Sequence, residues 1–217
     1  MIFLLELFVP AGRFTRDQRR DLAGRLTLSQ LLTHVDELGG VLDAAVATEA
    51  ASADLGVLTM LEEYCHVVVH EVDTWVVGRR TVEGPSAGRY VARVYVPGPW
   101  RSSMASFLIG SITHVLTKFD PDGSGLAEEP LVEVAVLGVP EGGYGVRGRV
   151  AKESDVLDLI SAARENRQRT TPEGKLIDPV CGMIAVEGLT LEHDGTVYGF
   201  CSDGCRRHFA AGLATSS

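Results

Sequence analysis

The chain has 217 residues, with 20 Lys+Arg against 29 Asp+Glu and a formal charge of −9 at pH 7. Hydrophobic residues make up 45% and charged residues 23%, the balance of a soluble globular protein of one large or two modest domains. The acidic balance argues against the clustered Lys/Arg footprint that displaces phosphate counterions, so no nucleic-acid partner is expected. No apolar run approaches the roughly 20 residues of a membrane span, so no membrane partner is expected either.

The opening segment MIFLLELFVP lacks the basic flank and small-residue cleavage site of a signal peptide and reads as a buried first strand, which points to a cytoplasmic protein. Phe3–Arg25 (FLLELFVPAGRFTRDQRRDLAGR) and Tyr90–Ile112 (YVARVYVPGPWRSSMASFLIGSI) share one pattern. Each begins with an apolar strand ending in Val-Pro (Val9-Pro10 and Val96-Pro97), and the two pairs are offset by 87 residues. Each continues through Gly or Pro and an aromatic (Phe14, Trp100) into a helix, with Thr15 and Ser102 as expected N-caps. Leu22, Leu26, Leu31, Leu32 and Val35 keep a helical stripe in the first copy; Gly39-Gly40 breaks it, Val41–Ala53 is alanine-rich and Leu55–Glu63 is again helical. In the second copy Met104, Phe107, Leu108, Ile112, Val115 and Leu116 mark the face that a helix buries against a sheet.

Both copies close in the same way. Tyr64–Val82 and Leu131–Val150 are β-branched-rich runs followed by turn residues, an aromatic (Trp75, Tyr144) and a Val/Gly/Arg ending. The unit is therefore strand, helix, strand and hairpin-like tail, used twice in one domain. Cys65 reads as a buried, inert thiol. His66 and His70 share one strand face; a two-His metal pair is conceivable, but half-buried sheet histidines fit better because no third ligand is adjacent. Glu71 reads as a charge at a strand end. The Asp120–Gly125 stretch begins like a calcium loop but lacks the closing Glu, and reads as a turn.

Ser154–Arg167 is expected to be a helix capped by Ser154, with Val156, Leu157, Ile160 and Ala163 on one side, followed by the polar linker RENRQRTTPEGK. The last forty residues are too few for a large core and call for a metal, disulfides or docking. Three of the four cysteines lie here, in a chain expected to be cytosolic, which favours metal or redox chemistry over a disulfide framework. Nineteen residues separate Cys181 from Cys201, and three separate Cys201 from Cys205. A helix starting near Ser202 would turn the latter two sulfurs toward one point. A hairpin around His193-Asp194-Gly195 would return the chain to Cys181, on the knuckle Pro179–Gly182. Three converging thiolates suit copper or zinc. Met183, His193, Asp203 and His208 are the candidates for a fourth position.

Two resemblances follow from these segments. LFVPAGRFTRDQRRDLAGRLT, VVVHEVDTWVVGR and VYVPGPWRSSMASFLIGSIT resemble the tautomerase superfamily, closest to its fused two-repeat members; that implies a homo-oligomer, a trimer. The chemistry of that family rests on an amino-terminal proline base, whereas this chain has Ile2 there and only internal prolines at Pro10 and Pro97, so no catalytic residue can be assigned. DPVCGM (Asp178–Met183) and YGFCSDGCRRHF (Tyr198–Phe209) resemble a YHS domain of the TRASH-like metal-binding group, which implies metal binding through Cys181, Cys201 and Cys205. Gly199 stands where that group often has an aromatic, which is expected to weaken packing. The expected fold class is α/β (α+β), with a tandem β-α-β tautomerase-like domain over 1–152, a helix and linker over 153–175, and a small ββα YHS domain over 176–217. The expected function is metal binding for heavy-metal trafficking or sensing. The alternative is an enzyme acting on a small keto/enol or carboxylate substrate.

Overall fold

The computed structural model describes residues 3–33, 54–82, 88–120, 131–146, 148–164 and 174–215. Val41–Ala53, Pro121–Gly125 and most of the expected linker lie outside the described residues. The fold is α/β, and the chain divides into two compact units, Met1–Asp43 with Tyr64–Pro140 and Ala44–Glu63 with Glu141–Ser217.

The first unit is built on four eight-residue strands, β1 (Phe3–Pro10), β2 (Cys65–Val72), β5 (Tyr90–Pro97) and β6 (Val132–Val139), in the order β2-β1-β5-β6. β1 runs parallel to β2, with Phe3 opposite Cys65 and Pro10 opposite Val72. β5 runs parallel to β6 in the equivalent register, from Tyr90 opposite Val132 to Pro97 opposite Val139. The two copies meet antiparallel, β1 on β5. The 87-residue offset maps Glu6 onto Arg93, and these two residues are also direct partners across the central pair. The repeat's local twofold therefore passes between them.

Alternation along β1 and β5 buries Phe3, Leu5, Leu7, Val9, Tyr90, Ala92, Val94 and Val96 on one face. Residues from α1 (Arg16–Arg25), α2 (Leu28–Thr33) and α4 (Arg101–Phe119) complete this core, among them Leu22, Leu28, Leu31, Phe107, Leu108, Ile112, Val115 and Leu116. α1 starts as its sequence requires. The Gln18 backbone N–H donates to Thr15 Oγ1, and the Thr15 N–H donates to the Gln18 side chain at 2.8 Å, a reciprocal capping box. α4 does not start at Ser102. A 3-10 turn over Gly98–Trp100 runs directly into it, and Ser102 is a residue of its first turn. Because the turn already supplies helical backbone ahead of Arg101, no extended cap residue intervenes.

The strand tails form the short hairpins β3 (Val76–Val77) with β4 (Arg80–Thr81) and β7 (Gly145–Val146) with β8 (Arg149–Val150). Asp120 closes α4 and turns inward. Its carboxylate accepts hydrogen bonds from the Tyr90 hydroxyl and from the guanidinium of Arg13, whose side chain is only 7% exposed. Burial and the adjacent carboxylate push the Tyr90 hydroxyl well above its usual titration range. Phe14, the aromatic after the first Val-Pro, packs edge-on to Phe119 and in a stack with Tyr90.

In the second unit, α3 (Leu55–Glu63) packs on α5 (Glu153–Ala163). Asp54 caps α3 by accepting from the Gly56 and Val57 N–H groups. α5 buries Val156, Leu157 and Ile160, the stripe expected from sequence. Its cap is Lys152 rather than Ser154: Asp155 Oδ2 accepts the Lys152 N–H at 2.8 Å, which places Ser154 inside the first turn. The helix ends at Ala163, where Arg164 adopts extended backbone. The sequence-based division at 152 and 176 differs from this grouping, in which the hairpin β7–β8, α3 and α5 all belong with the carboxyl-terminal segment.

Removing the Asp120 carboxylate tests the first unit's polar core. Asp120→Ala leaves the Arg13 guanidinium buried without it, and denaturant unfolding should show a loss of about 3–5 kcal/mol. A loss below about 1 kcal/mol would show that Asp120 does not hold this core together.

Candidate metal centre

The carboxyl-terminal segment folds back on itself in three steps. Leu176 to Ala185 is a tight knuckle: the Ala185 N–H donates to the Leu176 carbonyl, Ile177 bridges Ile184, and the Asp178 N–H donates to the Met183 carbonyl. The hairpin β9 (Thr190–His193) and β10 (Thr196–Gly199) comes next, turning through Asp194 and Gly195, both with positive φ. α6 (Asp203–Thr215) follows, with Ser202 Oγ accepting the Cys205 N–H in the manner of an N-cap. Tyr198, Phe200 and Phe209 form the aromatic cluster between hairpin and helix, with Phe209 4.8 Å from Tyr198 and 5.5 Å from Phe200, ring centre to ring centre.

These steps bring Cys181, Cys201 and Cys205 together. Cys181 Sγ lies 3.4 Å from Cys201 Sγ, which lies 3.8 Å from Cys205 Sγ. The Asp178 carboxylate completes a group whose ligand atoms all fall within 4.8 Å of one another. Among the described residues it is the one cluster of three or more His, Cys, Asp or Glu side chains with metal-holding geometry. Cys181, Cys205 and Asp178 are buried, and Cys201 is half-buried.

Asp178 explains the convergence. One carboxylate oxygen accepts the backbone N–H groups of Val180 at 2.8 Å and Cys181 at 3.4 Å, while the other accepts that of Cys201 at 2.8 Å. A single side chain thus ties the knuckle to the strand end twenty residues on. Sequence reasoning missed it. The available signal was an Asp two and three residues before the N–H groups it caps, the pattern of an Asx turn.

The electrostatics of the group are strained. Thiol hydrogen bonds from Cys181 and then Cys201 pull Cys205 down against the opposing effect of burial. Cys181 is pushed up by its hydrogen bonds to Cys201 and Cys205 and by burial. At Cys201 the Cys181 bond lowers the pKa, but the Cys205 bond, burial and the nearby anions outweigh it, and the net direction is upward. Burial and then the negative charge of Cys205 raise Asp178, opposed by the N–H groups that it accepts. A buried pocket of this kind disfavours negative charge, and a cation among the thiols and the carboxylate would favour their ionised forms.

The donor set fits a metal. A tetrahedral zinc with Zn–S bonds of ~2.3 Å separates its sulfurs by about 3.8 Å, close to the two separations observed. The imidazoles and carboxylate considered for a fourth position point elsewhere: His193 pairs with Asp194, Asp203 with Arg206 and His208 with Asp158. Met183 contributes its backbone carbonyl to the knuckle. His66 and His70 share a sheet face as expected, but His70 stacks on Phe8 at 4.8 Å and approaches Glu6 at 3.3 Å, and neither joins a ligand cluster. Glu71 accepts the Gly12 N–H and pairs with Arg19 at 2.7 Å, tying the end of β2 to the turn after β1.

Gly199 reverses its expected effect. A Cβ there would lie 2.6 Å from Leu176 Cβ and 2.7 Å from Ala185 Cβ, so the missing side chain permits the packing instead of weakening it.

No protein-family model and no curated protein matches the chain. Among solved structures, a wild-type fused 4-OT asymmetric trimer is similar at 18% identity, over 68% of this chain and 95% of that one, with a TM-score of 0.43. A member of the cis-3-chloroacrylic acid dehalogenase family is similar at 17% identity, over 68% and 82%, with a TM-score of 0.42. A macrophage migration inhibitory factor-like protein from Entamoeba histolytica is similar at 10% identity, over 70% and 100%, with a TM-score of 0.44.

Gly199→Ala should lower the thermal unfolding midpoint of the carboxyl-terminal segment, because the new methyl meets two Cβ atoms that cannot swing aside. A wild-type midpoint, followed by Tyr198 near-UV signal, would contradict this packing.

Proposed function

We propose that this protein binds one copper or zinc ion through Cys181, Cys201 and Cys205, in a carboxyl-terminal module of YHS type, and serves the trafficking or sensing of that metal in the cytoplasm. The observation that carries the reading is the convergence of three sulfurs and one carboxylate within 4.8 Å. Three thiolates alone suit copper(I), while the Asp178 oxygen would complete a tetrahedron for zinc. In either case the ion would bind the cysteines as thiolates, displacing any thiol protons. Asp178, whether or not it donates to the ion, would keep two of the three ligand backbones in place.

The first unit is, in this reading, a tautomerase-like scaffold that carries the module and assembles it as a trimer. Its sheet supports assembly on a second ground. The face opposite the buried core presents Leu4, Phe8, Val91 and Tyr95 half-exposed, with Val68 and Leu137 about 40% exposed beside them. The Glu6–Arg93 pair divides these side chains into two apolar patches, Leu4 with Tyr95 and Phe8 with Val91, which an assembly contact would cover. No helix among the described residues is long and apolar enough to cross a membrane.

Titration of the reduced, metal-free chain with cobalt(II) and then zinc(II) tests the metal reading. One equivalent per chain should bind with thiolate-to-cobalt charge-transfer absorption. Cys181→Ser and Cys205→Ser should each abolish stoichiometric binding, while Cys65→Ser should leave it intact. Unchanged binding in both of the first two variants would overturn the assignment. Native mass spectrometry tests the scaffold: the expected species is three times the 23.3 kDa chain, and a monomer at micromolar concentration would contradict it.

A further inference from the structure

The helix α5 lies outside the segment that supplies the cysteines, yet it grips that segment at both ends. At its start, Glu153 places its carboxylate against Gly204 in the first turn of α6, where a Cβ would come within 2.6 Å of Oε1. The same carboxylate pairs with Arg207 at 3.4 Å. A negative charge at this position complements the amino-terminal end of α6, one residue before Cys205. At its end, Arg164 reaches over the knuckle. Its Nη1 donates to the Pro179 carbonyl at 2.6 Å and lies 3.4 Å from the Asp178 carbonyl.

The guanidinium lies against Gly182, the residue after Cys181. A Cβ at Gly182 would stand 3.1 Å from Arg164 Nε and 3.4 Å from its central carbon. Gly182 also has φ +81, a backbone conformation that side chains disfavour. Two separate requirements thus meet at one glycine: the tight turn that aims Cys181, and room for the cation above it. Arg164 Nε is buried and has no hydrogen-bond partner among the described residues. Such an atom is costly, and a plain helix-ending arginine would turn it to water. The arrangement is understandable if the charge has a task where it sits. A metal held by three thiolates and a carboxylate leaves a net negative centre, and a guanidinium fixed over the knuckle offsets it.

We propose that Arg164 is a positioning residue of the metal centre, holding the Asp178–Gly182 knuckle in the shape that aims Cys181 at Cys201 and Cys205, and that α5 is thereby an integral part of the site. This rests on the metal reading above. The hydrophobic docking of α5 through Val156, Leu157 and Ile160 sets where the guanidinium falls, and Glu153 fixes the opposite half of the site from the same helix. Metal affinity is therefore a property of the helix and the cysteine segment together.

The test uses the full chain, with cobalt(II) as the spectroscopic probe and zinc(II) affinity read by chelator competition. Arg164→Gln should lose about 10–100-fold in affinity for both ions, the range seen when a group that orients metal ligands is removed. The cobalt ligand-field bands should also shift, which a loss of general stability would not produce. Arg164→Lys retains the charge and the aliphatic stem but not the planar fork, and should also bind more weakly than wild type; it serves if the glutamine variant does not fold. Wild-type affinity and an unaltered cobalt spectrum in either folded variant would overturn the role of Arg164 while leaving the three-cysteine site standing. Failure of the wild-type chain to bind either ion would instead overturn the site itself, and this inference with it.

Discussion

The second unit depends on one buried carboxylate. Asp178 accepts three backbone N–H groups, two on its own knuckle and one at Cys201, and so joins segments twenty residues apart at the point where the sulfurs meet. Hydrogen bonds to an ionised acceptor are stronger than neutral ones, and in a dry pocket they are costly to lose. The same carboxylate is poorly placed for its own charge, since burial, and then the neighbouring Cys205, raise its pKa. Geometry and electrostatics therefore pull in opposite directions. The N–H groups fix the carboxylate, and the carboxylate holds the Cys181 and Cys201 backbones where their sulfurs meet.

The first unit solves a different problem. Two copies of one β-α-β motif share a sheet whose local twofold passes between Glu6 and Arg93, so the two equivalent positions carry opposite charges where they face each other. Like charges at an axis would repel; an acid in one copy and a base in the other let the duplicated sequence pair with itself. The buried face is closed by helices, and the Arg13–Asp120–Tyr90 group anchors the end of α4 under the start of β5. The one carboxylate accepts from both the arginine and the tyrosine hydroxyl, so three elements of the unit share a single buried anchor.

Much of this was legible in the sequence, for reasons that differ from element to element. The Val-Pro offset gave the repeat because strand ends and turns have strong local chemistry, and the eight-residue registers of β1–β2 and β5–β6 follow it. The spacing of Cys181, Cys201 and Cys205 pointed to their convergence because a knuckle and a helix start are local features. What escaped was set by contacts distant in sequence or by competing local signals. Ser102 and Ser154 looked like caps, but a 3-10 turn and the Lys152–Asp155 pair took those places. Asp178 resembled an ordinary turn residue until Cys201 arrived to share it. Gly199 looked like a loss until Leu176 and Ala185 filled the space. Arg164 read as the start of a polar linker, and only the fold shows its guanidinium on the knuckle.

X-ray absorption at the zinc edge, on the full chain loaded with one equivalent of zinc, addresses the convergence of the sulfurs most directly. The account requires three sulfur scatterers at ~2.3 Å and one lighter donor at about 2.0 Å. A first shell made only of nitrogen and oxygen, or one containing a single sulfur, would contradict it.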